Sequence, residues 1–174
     1  RLQRERAGSG ALGDIGAHII DATQFVLDDL LTGVSGLTET FIRDRPGGSV
    51  TVDDCALFLG RFSAGAVATF EATRLATGRK NGLRFEINGS AGSLAFDLEK
   101  LNELWYYDQA EDATTAGFRR ILVTEPTHPY MDAWWPPGHL IGYEHTFTNQ
   151  ARDFLSALGS GAAPSPSFAD GLQV

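Results

Sequence analysis

The hydrophobic pattern of this sequence changes period along the chain. In DIGAHIIDATQFVLDDLL, Ile15, Ile19, Ala22 and Val26 recur at i, i+4, i+7 and i+11, which predicts one apolar face of an amphipathic helix. Asp14 suits its N-cap or first turn, where a carboxylate meets free backbone N–H groups, and Gly33 suits its stop. From about Val34 to Pro126 the period shortens to two: TETFIR, TVDDCALFLGRF, GAVATFEATR, GLRFEING, GSLAFDL, ELWYYD and FRRILVTE read as up to seven strands. Ser63-Ala64-Gly65 and Asn88-Gly89-Ser90-Ala91-Gly92 read as hairpin turns, so successive strands should pair antiparallel. In GAVATFEATR, Val67, Thr69, Glu71 and Thr73 oppose Ala68, Phe70 and Ala72, leaving one more polar and one more apolar face, the latter for helices to cover. An aromatic, proline-containing loop, THPYMDAWWPPGHLIGYEH, then leads into a second helix from about Thr146 to Leu158. Its stripe is Phe147, Ala151, Phe154, Leu155 and Leu158, and Gly159 with Gly161 ends it. The pattern predicts an α+β fold: an open, mainly antiparallel β-sheet with helices packed on one face.

Composition narrows the class. The 174 residues, 43% of them hydrophobic, suffice for one domain or for one half of a two-domain protein. Cys55 is the single cysteine, which excludes an intrachain disulfide and a cysteine-based zinc site. With 22 acidic against 14 basic residues and a net charge of -8, the chain is poorly suited to neutralise phosphates, so no nucleic-acid partner is expected. All the basic residues but Lys80 and Lys100 are arginines. No apolar run approaches the ~20 residues of a bilayer span, and the stretch from Ile15 to Leu31 is broken by His18, Asp21, Asp28 and Asp29. Arg1, Arg4 and Arg6 lead into Gly8-Ser9-Gly10 rather than an apolar segment, so no signal peptide or membrane association is expected, and a cytoplasmic location is. The last stretch, APSPSFADGLQV, reads as a loop entering a further element of a longer protein.

Three clusters carry candidate chemistry. Gly8-Ser9-Gly10-Ala11-Leu12-Gly13 satisfies G-x-G-x-x-G, with Asp28 and Asp29 about 20 residues on. A dinucleotide site needs a buried strand before the glycines, and only RLQRERA precedes them, so the segment reads as a connector capping the first helix, with no nicotinamide-cofactor binding expected in this fragment. Asp14 and His18 stand i, i+4 on one helix face, extended by Asp21. They read either as an acid-base pair, in which the carboxylate fixes the imidazole, or as a capping aspartate followed by a structural histidine. A metal site using these residues with His139 or His145 lacks any tight ligand spacing, and none is expected. In the aromatic loop, Trp134, Trp135, His139, Tyr143, Glu144 and His145 read either as a sugar or polyol surface, rings for C–H faces and polar groups for hydroxyls, or as a proline-stiffened connection over the core edge.

Gly13-Asp14-Ile15-Gly16-Ala17-His18-Ile19-Ile20-Asp21 resembles the G-D-x-G-x-H-x-x-D signature opening the second domain of the glucose-fructose oxidoreductase / inositol dehydrogenase / rhizopine catabolism (Gfo/Idh/MocA) family. Glu71-Ala72-Thr73-Arg74, Phe85-Glu86-Ile87-Asn88-Gly89 with Gly92-Ser93-Leu94, and Trp134-Trp135-Pro136-Pro137-Gly138-His139 with Gly142-Tyr143-Glu144 extend the resemblance over nearly the whole chain. It implies a two-domain oxidoreductase whose N-terminal Rossmann domain binds NAD or NADP. Residues 1–174 would then be the C-terminal substrate-binding and oligomerisation domain, inactive alone, with the Rossmann domain as its missing partner. On matching positions His18 would be the acid/base for a substrate hydroxyl, and Asp14 would orient His18 or the substrate. His139, Tyr143, His145, Trp134 and Trp135 would form the sugar-facing wall. The family's lysine, in a Glu-Lys-Pro motif, has no counterpart: Lys80 follows Arg79, and Lys100 lies between Glu99 and Leu101. The expected function is therefore the substrate domain of an NAD(P)-dependent sugar, inositol or polyol dehydrogenase that associates as a homo-oligomer through the sheet. The alternatives are a noncatalytic carbohydrate-binding or dimerisation module, against which retention of Asp14 and His18 argues, and a metal-dependent hydrolase.

Overall fold

The computed structural model describes residues 2–174 and divides into two compact units, one running to Arg79 and including Ala169–Val174, the other Lys80–Phe168. The fold is α+β with antiparallel sheets.

In the first unit a short helix, α1 (Arg4–Ala7), precedes a π-helical turn (Leu12–Gly16) that runs directly into α2 (Ala17–Leu27). Strands β1 (Leu31–Glu39), β4 (Cys55–Phe62) and β5 (Val67–Thr73) form one sheet in the order β1-β4-β5, and β2 (Asp44–Arg45) pairs with β3 (Gly48–Ser49) as a separate ribbon. Two features differ from the sequence reading. The helix stops at Leu27 rather than at Gly33, because Asp28 adopts a left-handed conformation (φ 48°, ψ 41°) and returns its N–H to the Gln24 and Phe25 carbonyls. Aspartate is among the few non-glycine residues that accept this geometry. Asp29 completes the stop by accepting the N–H of Leu30 (2.8 Å), the N–H of Ala64 (2.9 Å) and the hydroxyl of Ser63. The first strand accordingly begins at Leu31, ahead of TETFIR, and takes Gly33 into its interior.

The expected alternation on β5 holds: Phe70 and Ala72 are buried while Val67 is 72% exposed. Phe70 stacks on Phe58 of β4 (centroids 4.6 Å apart), and Gly16 of the π turn packs against Ala72. The opposite face presents Leu37, Leu57, Leu59 and Val67 outward.

In the second unit β6 (Arg84–Gly89), β7 (Gly92–Asp97), β8 (Glu103–Asp108) and β9 (Arg119–Leu122) form a meander in chain order. The β6–β7 hairpin closes with Gly89 opposite Gly92, and Phe85 lies against Phe96 across it. Among the described residues nine strands in three sheets thus stand where patterning read up to seven, because the two-residue strands are too short to show a period. A 3₁₀ turn (Met131–Ala133) leads to α3 (Tyr143–Ser160), one turn longer than the Thr146–Leu158 reading. It ends at Gly161 (φ 70°), with Gly159 inside it. Phe147, Phe154, Leu155 and Leu158 of its stripe are all exposed, so within this unit α3 does not lay that stripe on the sheet, as the sequence reading expected of a helix. A last short helix, α4, spans Phe168–Gln173. No helix among the described residues is long and apolar enough to cross a membrane.

Candidate functional site

Asp14 lies in the π turn and His18 in the first turn of α2, both exposed. Such single-turn π segments recur at functional sites because they shift the side chains that follow them. Of the two places read for it, Asp14 takes the first turn rather than the N-cap: its N–H donates to the Gly10 carbonyl (3.1 Å), and its carboxylate pairs with the guanidinium of Arg74, just past β5. The imidazole of His18 has no hydrogen-bond partner among the described residues, so the carboxylate expected to hold it is held by an arginine instead.

The cap comes from elsewhere in the chain. Asp53 accepts the N–H of Gly10 on Oδ1 (2.8 Å) and the N–H of Leu12 on Oδ2 (2.7 Å), and its own carbonyl accepts the N–H of Ala11 (2.9 Å). The Ser9 hydroxyl donates to the same carboxylate (3.4 Å) and accepts the N–H of Gly13 (2.9 Å). Burial pushes the Asp53 carboxyl up, but the Leu12 and Gly10 N–H bonds outweigh it and hold the group below the usual carboxylate range. A Cβ on Gly10 would fall 2.0 Å from the Asp53 carbonyl oxygen, so glycine is required there for close approach. Two N–H groups of the G-x-G-x-x-G segment are therefore taken by a carboxylate of the chain itself, and a third by the Asp53 carbonyl.

Asp54, only 1% exposed, accepts the N–H of Ile42 (3.0 Å) and pairs with Arg45, which makes Arg45 half of a buried ion pair. Burial raises its carboxyl, but the Ile42 N–H and Arg45 lower it further, to a net value below the usual range. Its carbonyl accepts the N–H of Arg74 (2.9 Å).

In the second unit the aromatic loop sorts its residues by direction. Trp134 is turned inward with His145 against its edge (centroids 4.4 Å), whereas Trp135 is 73% exposed and lies beside His139 (5.8 Å). Tyr143 is exposed and meets Phe147 edge-on. The His139 Nδ1 lies 2.8 Å from the Pro136 carbonyl, which only accepts, so Nδ1 carries the proton and Nε2 is left as the basic nitrogen of the neutral ring. His145 is set the other way: its Nδ1 accepts the N–H of Gly142 (2.9 Å), which keeps the 3.5 Å Glu144 contact from being an ion pair. Behind the loop lies a cavity of about 410 Å³ lined mainly by apolar side chains, with His128, Tyr130, Trp134 and Asn149 on its wall. The buried Trp134 Nε1 has no partner, and Tyr130 holds a left-handed backbone (φ 67°) while its hydroxyl donates to Asp153 (2.7 Å).

Asp53, His128 and Tyr130 were not singled out from sequence. The adjacent acidic pair in TVDD was a signal only for Asp53, since a short acid before a strand can cap a helix remote in sequence. No group of three or more His, Cys, Asp or Glu side chains among the described residues is arranged to hold a metal ion.

A family model described as the GFO/IDH/MocA C-terminal domain matches residues 1–95. Levoglucosan dehydrogenase of Pseudarthrobacter phenanthrenivorans is 40% identical over 193 residues, covering 100% of this chain and 49% of that protein. Among solved structures, an oxidoreductase domain protein from Kribbella flavida superposes with a TM-score of 0.95 at 62% identity, over 98% of this chain and 46% of that one. Levoglucosan dehydrogenase in complex with NADH and levoglucosan does so at 0.92 and 43%, again over 98% and 46%. The chain thus spans about half the length of the relatives it matches. On the signature helix, the antiparallel sheets and these matches together, the chain belongs to the GFO/IDH/MocA family.

Proposed function

We propose that residues 1–174 form the C-terminal substrate-binding and oligomerisation domain of a cytoplasmic NAD(P)-dependent oxidoreductase acting on a sugar or related polyol. The observation that carries this reading is an exposed imidazole, His18, without a hydrogen-bond partner among the described residues, one turn from a carboxylate paired with Arg74. An imidazole in its neutral form takes a proton from a substrate hydroxyl and returns it in the reverse reaction. Asp14, with its charge offset by Arg74, accepts a second substrate hydroxyl and so orients the carbon being oxidised.

The cofactor belongs to the Rossmann half that the relatives' length leaves room for, where NAD or NADP accepts the hydride. In this chain the only glycine-rich segment of dinucleotide type is closed by Asp53. The exposed Trp135, His139 and Tyr143 supply ring and hydrogen-bonding surface for a sugar, backed by Trp134 and His145. Solved relatives with levoglucosan or L-sorbose bound favour that substrate class. The outward side chains Leu37, Leu57, Leu59 and Val67 supply a sheet face for association with a second copy.

The test is His18→Ala in the full-length protein, assayed with NAD and NADP against a panel of sugars and anhydrosugars. Turnover is expected to fall ~100-fold or more. Turnover within a few-fold of the parent would remove His18 from the acid/base role.

A further inference from the structure

We infer that Asp53 is a positioning residue of this site: its carboxylate substitutes for an external anion at the start of the signature helix and sets where Asp14 and His18 stand. The inference rests on the oxidoreductase reading for its functional half, and on geometry alone for its anchoring half.

Five consecutive residues, Ser9 to Gly13, converge on Asp53 directly or through Ser9. Three of the backbone N–H groups that a helix start leaves without partners are satisfied by this one residue, two by its carboxylate and one by its carbonyl. Asp14 begins two residues after Leu12 and His18 one turn later, so a displacement at Leu12 is carried to both through a continuous helical backbone. The neighbouring residue completes the arrangement, because the Asp54 carbonyl accepts the N–H of Arg74, the partner of Asp14. Adjacent residues of one short segment therefore hold both members of the Asp14–Arg74 pair, from the helix side and from the strand side. The glycines fit this role as well. Gly10 leaves room for the Asp53 backbone, Gly8 takes a positive φ of 74°, and a Cβ on Gly13 would fall 2.7 Å from the Ser9 Cβ. The dinucleotide-like spacing is explained by self-capping.

The experiment uses the full-length protein with Asp53→Asn, Asp53→Glu, Ser9→Ala and, as a reference, His18→Ala. In Asp53→Asn one acceptor oxygen is replaced by an NH₂ that faces a backbone donor. Hydrogen exchange of the peptide covering residues 9–13 is expected to accelerate about fivefold or more, with the β4–β5 amides unchanged. In the same sample kcat is expected to fall about 10- to 100-fold with the sugar KM changed less than about threefold, since misplacement acts on the reacting geometry. Asp53→Glu, which keeps the charge, restores part of kcat, and Ser9→Ala moves both readouts in the same direction by a smaller factor, which keeps the test decisive if Asp53→Asn does not fold. Unchanged exchange in the 9–13 peptide overturns the anchoring claim. Faster exchange with unchanged kcat, in an enzyme that His18→Ala inactivates, overturns the positioning role while leaving the oxidoreductase reading intact. If His18→Ala retains full turnover, the oxidoreductase site assignment fails, and the catalytic role of Asp53 fails with it.

Discussion

Carboxylates in the first unit are distributed by what they must hold. Asp53 serves backbone N–H groups, Asp54 serves Arg45, Asp29 closes the turn after α2, and Asp14 is paired yet exposed. Of the ion pairs made by Asp54 and Asp14, Arg45–Asp54 is the one whose carboxylate is withdrawn from water, and such a pair costs most when the cation is removed, because the other charge is left buried. Arg45→Ala is expected to lower the unfolding free energy at pH 7 by about 3 kcal/mol in urea denaturation. The sign of its pH dependence follows from Asp54. The folded carboxyl is lowered, so the pair contributes stability above the usual carboxylate range and loses it as pH falls through the folded value. The difference between parent and variant should therefore shrink below about pH 4, as the carboxyl becomes neutral and needs no cation. A difference that stays constant from pH 7 to pH 3 would show that Arg45 acts by packing instead.

At the scale of elements, β1 shows how position within a strand decides what a residue does. Gly33 and Gly36 are both interior to the strand, and a periodic reading treats them alike. A Cβ on Gly36 would fall 2.3 Å from the Leu57 carbonyl oxygen and 2.7 Å from the Phe58 Cα, both backbone atoms of the paired strand, whereas a Cβ on Gly33 meets nothing within 4 Å. Gly36→Ala must then push β1 away from β4 and is expected to cost about 1–3 kcal/mol, the usual range for overpacking. Gly33→Ala is expected to be neutral or to gain up to about 1 kcal/mol, from lower entropy in the unfolded chain. Chemical denaturation of the two variants side by side checks this, and equal midpoints would contradict it.

For the whole molecule, the exposed apolar side chains are the main energetic fact. The outer face of the β1-β4-β5 sheet carries Leu37, Leu57, Leu59 and Val67, and α3 carries Phe147, Phe154, Leu155 and Leu158, on a chain whose net charge is -8. Apolar groups gathered on one face are better covered than solvated, while repulsion between like charges limits unspecific association. If the sheet face joins copies of the full-length protein, Leu59→Glu with Val67→Glu should reduce the mass found by light scattering at tens of micromolar. A parent that is already monomeric, or a double variant of unchanged mass, would rule that face out.

What the sequence by itself determined is what local periodicity and chirality enforce: the alternation on β5 that buries Phe70 and Ala72, the hairpins at Gly65 and Gly92, and α3 to within a turn. It also determined which residues stand on the signature helix, since Asp14 and His18 are four apart in any helical backbone. Tertiary structure alone decided what those residues touch. Asp14 meets Arg74 across 60 positions, and Gly10 and Leu12 meet Asp53 across 43 and 41. No period relates such positions, so of the two places read for Asp14 it takes the first turn while the capping carboxylate is Asp53, and the stop read at Gly33 belongs to Asp28. The physical reason is that a hydrogen-bonding group is satisfied by whichever partner the fold brings within 3 Å, and a one-dimensional pattern records only neighbours along the chain.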